Sequence, residues 1–311
     1  MDRIICVVGP TASGKTRLAV QLAKAYDGEV VSCDSMQIYR HMDIGTAKPT
    51  PEEMEGIPHH MIDCVEPGED FSVGRYVQLA DRCVQQILSR GKTVVIAGGT
   101  GLYADSLIAG RTFAPVPQTG KREALEAQLR QAGGEAMLQK LRAVDPDAAA
   151  RLHPADEKRI IRALEVYAET SRTITQHNLD TQQLPPRYRP VWIGLDYLDR
   201  AVLYRRIDLR VDLMLQAGLL DEIRALLARG IDPRTTAMQA IGYKEFFDAL
   251  EGRSTLEAAA ALCKQRSRNY AKRQLTWFRR NPQLHWLRLT GEEDFAQILA
   301  AARQNIPFSA L

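Results

Sequence analysis

The sequence predicts an α/β protein: a phosphate-loop (P-loop) core with a parallel sheet flanked by helices, plus a helical insertion domain. The first hundred residues alternate short apolar runs with helical periods, the signature of βαβ units. One apolar run leads directly into Gly9-Pro10-Thr11-Ala12-Ser13-Gly14-Lys15-Thr16, which satisfies G-x-x-x-x-G-K-[ST] in the strand-to-helix position its chemistry requires. From about Pro115 to Pro190 the character changes to Ala, Leu, Glu, Gln and Arg, opened by Pro115 and Pro117 and closed by Pro185, Pro186 and Pro190, the composition of helices between hinges.

Strands are expected at Ile4 to Val8, Glu29 to Ser32 and Thr93 to Ala97, each a short apolar run bounded by turn residues. Helices are expected from Lys15 to Tyr26 and from Ser72 to Arg90, where Val73, Tyr76, Val77, Ala80 and Val84 recur at helical spacing. Thr46 to Asp70, rich in Pro, Gly and acidic residues, reads as loop with short helical turns. After the insertion a strand at Val191 to Leu195 returns the chain to the sheet, followed by helices from Asp199 to Arg229 and from Thr255 to Arg280. The expected division is a core of 1–114 with 190–311 and an insertion of 115–189.

The totals exclude several classes. Of 311 residues 45% are hydrophobic and 25% charged, as in an ordinary soluble protein with a real core. The five cysteines are odd in number, scattered and never in a Cys-x-x-Cys pair, so neither a disulfide framework nor a zinc site is indicated and a reducing, cytoplasmic setting is expected. The apolar run at Ile4 leaves no room for a secretory signal, and no stretch spans a membrane. A net charge of +3 decides nothing about nucleic acid.

In the phosphate loop, glycines let successive N–H groups converge on one anion, the following helix adds positive potential, and Lys15 supplies a full charge. Thr16 offers a hydroxyl to a phosphate-bound Mg²⁺. Most such loops serve ATP or GTP, yet the Thr93 strand runs into Gly98-Gly99-Thr100-Gly101, with no metal-organising carboxylate. The acidic residue follows the second strand instead, in Ser32-Cys33-Asp34-Ser35-Met36-Gln37. Strand ends of a parallel sheet share one crevice, so Asp34 and Thr100 are expected to face the phosphates. Asp34 can serve as a base, or cap the following turn. Thr100 can act at the reacting centre or simply shape a turn.

From Cys263 to Arg280 basic residues recur with no acidic one, and Tyr270, Trp277 and Phe278 lie among them. Phosphate neutralisation with base stacking fits this segment, as does a solvated face with its aromatics in the core. A second cluster puts Arg159 and Arg162 on one helical face, opposite an expected buried stripe of Ile161, Leu164 and Ala168. His59-His60 reads as loop, since neighbouring histidines share no face and no third ligand is spaced to join them.

Across essentially its whole length the sequence resembles the tRNA dimethylallyltransferases (tRNA isopentenyltransferases), in their bacterial form. The resemblance rests on the phosphate loop, Asp34 to Tyr39, Gly45 to Lys48, Pro58 to Asp63, Gly98 to Tyr103, Arg159 to Tyr167, Gln239 to Glu245 and Arg273 to Arg279. It implies transfer of a dimethylallyl group from dimethylallyl diphosphate to the exocyclic amine of the adenosine 3′ of the tRNA anticodon, with Mg²⁺ as cofactor. It further implies Asp34 as general base, Thr100 beside the reacting centre, Gly9 to Thr16 on the diphosphate, and Ser35 and Gln37 at the adenine edge, with Asp34, Met36 and Thr100 also at the tRNA. For the anticodon stem-loop it implies contacts from Arg122, from Lys158, Arg159, Ile160, Ile161 and Arg162, and from Gln239, Ala240, Ile241, Gly242, Tyr243 and Lys244. Lys272, Arg273, Gln274, Leu275, Thr276, Trp277, Phe278 and Arg279 join them. A monomer with no membrane partner is expected. A small-molecule phosphoryl transferase built on the same loop is the competing reading.

Overall fold

The computed structural model describes residues 2–113, 119–183 and 185–308. In chain order the elements are β1 (Ile4–Val8), α1 (Lys15–Ala25), β2 (Gly28–Ser32), α2 (Pro51–Met54), β3 (His59–His60), α3 (Val73–Ser89), β4 (Thr93–Gly98) and α4 (Gly101–Ala109). There follow α5 (Lys121–Val144), α6 (Pro146–Ala149), α7 (Glu157–Thr170) and α8 (Ile174–Gln183). The chain ends with β5 (Val191–Tyr197), α9 (Arg200–Gln216), α10 (Leu219–Ala228), α11 (Phe247–Leu250), α12 (Leu256–Phe278), β6 (Leu284–Leu289) and α13 (Phe295–Gln304).

Six strands form one parallel sheet in the order β3-β2-β4-β1-β5-β6. The alternation of side chains along β1 explains its unbroken apolar run. Ile4, Cys6 and Val8 face one buried cluster with Tyr76, Ala80 and Val84 of α3. Ile5 and Val7 face another with Leu18 and Leu22 of α1 and Ile207 of α9. A strand covered on both faces has no polar side to show. A third cluster joins Ile38, Tyr39 and Met42 to α9, α10, α12 and Tyr243.

The described chain divides into two compact units, 1–108 with 187–311, and 109–186. The smaller has its own core, in which Leu125, Met137, Leu138 and Leu141 of α5 meet Ile160, Ile161 and Leu164 of α7. The expected opening of this insertion at Pro115 and Pro117 lies outside the described residues.

Several expectations need correction. The run Asp199 to Arg229 is two helices, because Gly218 takes φ 98 and caps a new helix at Leu219. His59 and His60 are not loop: they form β3, pairing with Val30 and Val31. Ala168 is exposed and does not join the buried stripe of α7, which runs through Ile160, Ile161, Ala163 and Leu164.

Candidate active site

At the end of β1 the chain turns at once into the phosphate loop. Gly9 has φ +146, and a Cβ there would stand 2.5 Å from the Leu195 carbonyl of β5, so only glycine fits. Ala12 and Gly14 are also left-handed, which turns successive N–H groups toward one concavity. Gly14 caps α1 without a side-chain hydrogen bond, leaving the first amides of the helix for an anion. Ser13 Oγ is buried with no partner among the described residues, the mark of a hydroxyl whose acceptor is a ligand. Lys15 Nζ donates to the Pro10 carbonyl at 2.5 Å. Burial first, then the Arg210 charge, brings the Lys15 ammonium down to about 8.

Two cations that sequence reasoning missed arrive from α9. Arg206 Nε donates to the Ala12 carbonyl at 3.0 Å and Arg210 Nη1 to Thr11 Oγ1 at 3.2 Å. Burial lowers the Arg210 pKa, and Arg206 adds to the effect. Their spacing of four residues, on a helix just after a strand of the same sheet, was the available signal.

Because β4 lies between β1 and β2, its Gly98-Gly99-Thr100 end stands between the phosphate loop and Asp34. The amide of Thr100 donates to the Cys33 carbonyl at 3.1 Å. Asp34 Oδ1 accepts the amides of Met36 at 2.8 Å and Gln37 at 3.4 Å, so this oxygen caps the turn. Oδ2 makes no hydrogen bond among the described residues, and Asp34 lines the cavity. One carboxylate thus carries a structural oxygen and an available one. Thr100 Oγ1 accepts the Ser35 amide at 3.1 Å, and Oγ1 and Ser35 Oγ lie 3.3 Å apart. Tyr270, pushed up to about 12 chiefly by burial, is hydrogen-bonded to Thr100.

Two cavities open here. The larger, about 580 Å³, is lined by Thr11 to Thr16, Asp34, Gln37, Gly98 and Gly99. The smaller, about 260 Å³, is lined by Ser35, Met36, Gly45, Val211, Ala240, Ile241, Gly242 and Arg273. They share Thr11, Asp34, Thr46, Ala47, Arg210, Met214 and Tyr270. An anion on the loop and an apolar or planar group in the smaller space therefore meet at Asp34. Among the described residues no cluster of three or more His, Cys, Asp or Glu could hold a metal. Thr16 lines the larger cavity, and its hydroxyl would hold a divalent ion beside a bound phosphate.

The segments expected at RNA are less uniform than their sequence suggested. In α12, Lys264 pairs with Asp212, Arg266 with Glu245, Arg268 with Asp208 and Arg279 with Asp196. Lys272 and Arg273 are exposed and, among the described residues, make no ion pair, lying instead over the Tyr204 and Tyr270 rings. Leu275 and Phe278 are in the core, and Trp277 Nε1 donates to Asp105 Oδ2 at 2.7 Å. The solvated-face reading thus holds for most of this helix, and stacking on Phe278 is closed off. Gln239 is exposed and Lys244 half-buried, whereas Tyr243 is wholly buried. Gln37 is fully engaged: its Oε1 accepts from Ser32 Oγ at 3.2 Å, and its Nε2 donates to the Ala47 and Thr46 carbonyls at 3.0 and 3.4 Å.

Within the smaller unit, Lys158 and Arg159 are exposed while Ile160 and Ile161 lie in its core, so their side chains are not presented to a partner. Arg122 reaches Glu126 at 3.1 Å and the buried Glu165 at 3.3 Å, and Arg162 reaches Glu165 at 2.8 Å.

Fold and site define a phosphate-loop α/β protein in which the loop after β1 and the carboxylate after β2, two strands away, line one cavity. The family model described as IPP transferase matches residues 37–281. The chain is 46% identical to the tRNA dimethylallyltransferase of Acetivibrio thermocellus over 288 residues, 92% of each chain. The full-length tRNA isopentenylpyrophosphate transferase of Bacillus halodurans superposes with a TM-score of 0.72 at 42% identity, covering 98% of both chains. A eukaryotic dimethylallyltransferase, solved acting on tRNA, superposes at 0.83 with 31% identity, covering 98% of this chain and 77% of that one. The chain belongs to the IPP transferase family.

Proposed function

We propose that this protein transfers the dimethylallyl group of dimethylallyl diphosphate to the exocyclic N6 amine of the adenosine 3′ of the tRNA anticodon, releasing diphosphate. The observation that carries the proposal is the meeting of two cavities at Asp34, one lined by the phosphate loop and the other by apolar residues with Ser35, Tyr270, Arg210 and Arg273 among them. The names of its relatives agree.

In this reading the diphosphate lies on Gly9 to Thr16 with Lys15, Arg206 and Arg210 around it. The bond between the allylic carbon and the diphosphate oxygen breaks with its electron pair on oxygen. The adenine nitrogen forms the new bond to carbon, and its proton passes to Asp34 Oδ2. An adenine amine is a weak nucleophile, but its proton grows acidic as the bond forms, so a carboxylate suffices. Charge accumulating on the leaving oxygens strengthens every donor there in the transition state. Mg²⁺, held through Thr16, neutralises part of the diphosphate charge when bound. A loop nucleotide leaves its stack at lower cost than one in a duplex. The exposed cations Lys272, Arg273, Lys158 and Arg159 supply phosphate contacts.

All of the pocket comes from one chain, so a monomer suffices, and the unpaired cysteines suit the cytoplasm. Among the described residues no helix is long and apolar enough to cross a membrane. The test is diphosphate release from dimethylallyl diphosphate with Mg²⁺. Release that depends on unmodified tRNA is the expected result. ATP-driven phosphorylation of a small molecule without tRNA would replace this reading with phosphoryl transfer.

A further inference from the structure

We propose that Glu222 is a positioning residue for the acceptor base, acting through the 43–47 backbone, which Gln37 holds from its other side. The assignment rests on the transfer reading above.

Glu222 stands on α10 and, among the described residues, has no cation beside it. Its carboxylate is filled by neutral donors. Oε2 accepts the amides of Asp43 and Ile44, both at 2.8 Å, and Oε1 accepts the amide of Gly45 at 3.0 Å and the Tyr243 hydroxyl at 2.6 Å. Consecutive amides converging on one anion form a nest, and bonds to an ionised acceptor are the strong kind. Burial, reinforced by the Glu222 charge, raises the Tyr243 pKa, so its phenol keeps the proton it donates.

Such a nest could be no more than a loop anchor. What connects it to the site is the next stretch of chain. The carbonyls of Thr46 and Ala47 both accept from Gln37 Nε2, and Gly45, Thr46 and Ala47 line the smaller cavity beside Asp34. Gly45 lies flat on Tyr243, where a Cβ would come within 2.5 Å of the ring, so the strap has no slack at that point. On its other side Lys48 Nζ holds Asp43 and Asp63, each at 2.5 Å, and the Tyr39 carbonyl at 2.9 Å. A change at Glu222 therefore shifts backbone that is pinned at both ends and lines the smaller cavity, whereas the phosphate loop, between β1 and α1, takes part in none of these bonds.

Glu222→Gln conserves volume but turns an N–H₂ toward donors. The experiment measures kcat and both KM values for wild type, Glu222→Gln, Gln37→Ala and the double variant. The expected result is a fall of roughly 10- to 100-fold in kcat/KM for tRNA, the range for a misplaced reacting group. KM for dimethylallyl diphosphate should stay within about twofold, and the double variant should be no worse than Gln37→Ala, since the two act in series. Additive losses, or equal losses toward both substrates, would reduce Glu222 to a structural anchor and overturn the assignment. Should Glu222→Gln not fold, Tyr243→Phe removes one donor and is expected to show a smaller loss with the same selectivity; an unaltered kcat/KM for tRNA would overturn it. Wild-type turnover in the same assay separates the two levels. Its absence sinks the transfer reading and this assignment together, whereas normal turnover with an unaltered variant sinks this assignment alone.

Discussion

Gln274 Oε1 accepts the backbone amide of Thr11 at 2.8 Å, tying α12 to the phosphate loop. The same buried side chain donates through Nε2 to the Gly99 carbonyl at 2.9 Å. One amide group thus spans the ends of β1 and β4. Gln274→Ala leaves two backbone groups without partners, at about 1–3 kcal/mol each when water cannot reach them. We expect a loss of about 2–4 kcal/mol in denaturant unfolding and weaker diphosphate binding by calorimetry. Unchanged values of both would show that the bridge does not hold the loop.

Asp34→Asn keeps an oxygen for the amides of Met36 and Gln37 but cannot take a proton. Transfer should fall by about 10²–10⁴-fold, the range for a lost general base, while diphosphate affinity stays within about twofold. Retained turnover would remove Asp34 from proton transfer.

Lys15 sits at about 8 in the free protein because burial and Arg210 disfavour its charge. A bound diphosphate favours the charged form, so the bound-state value lies higher. The contribution of Lys15 to binding is therefore full below about pH 8 and shrinks as pH rises through that value. The affinities of wild type and Lys15→Met for diphosphate should begin to approach each other above about pH 8 and coincide only above the higher bound-state value. A ratio of affinities independent of pH would contradict the shift.

The helix α12 offers an internal comparison. Lys272→Ala with Arg273→Ala removes two exposed cations without ion pairs and should lower the slope of log K for tRNA against log salt by about 1.4–1.8. Arg268→Ala removes a cation already neutralised by Asp208 and should leave the slope within about 0.3 of wild type. Equal slopes in both variants would deny α12 any selective RNA face.

The parts of this fold legible in sequence were those governed by local pattern. The apolar run into Gly9, the helical period from Val73 to Val84 and the glycine turn after Ala97 all sit in the elements expected. Leu284–Leu289 escaped notice because its burial runs Leu284 buried, His285 exposed, Leu289 buried, an edge strand with neither a continuous nor an alternating apolar face. What pairs across elements was invisible. Asp208, Asp212 and Glu245 neutralise the basic run of α12 from other helices and turns, and Arg206 meets Ala12 only once α9 has packed under the loop. Asp34 was legible as either a base or a cap; only the geometry shows that the cap occupies one oxygen and leaves the other without a hydrogen bond among the described residues.

The central claim is that the phosphate loop holds a leaving diphosphate while Asp34 draws the proton from an adenine amine. The most direct measurement is a nucleoside digest, by chromatography and mass spectrometry, of unmodified tRNA incubated with wild-type protein, dimethylallyl diphosphate and Mg²⁺. We predict N6-dimethylallyladenosine from the position 3′ of the anticodon, and none with Asp34→Asn on the same timescale. Adenosine recovered unmodified from the wild-type reaction would contradict the account.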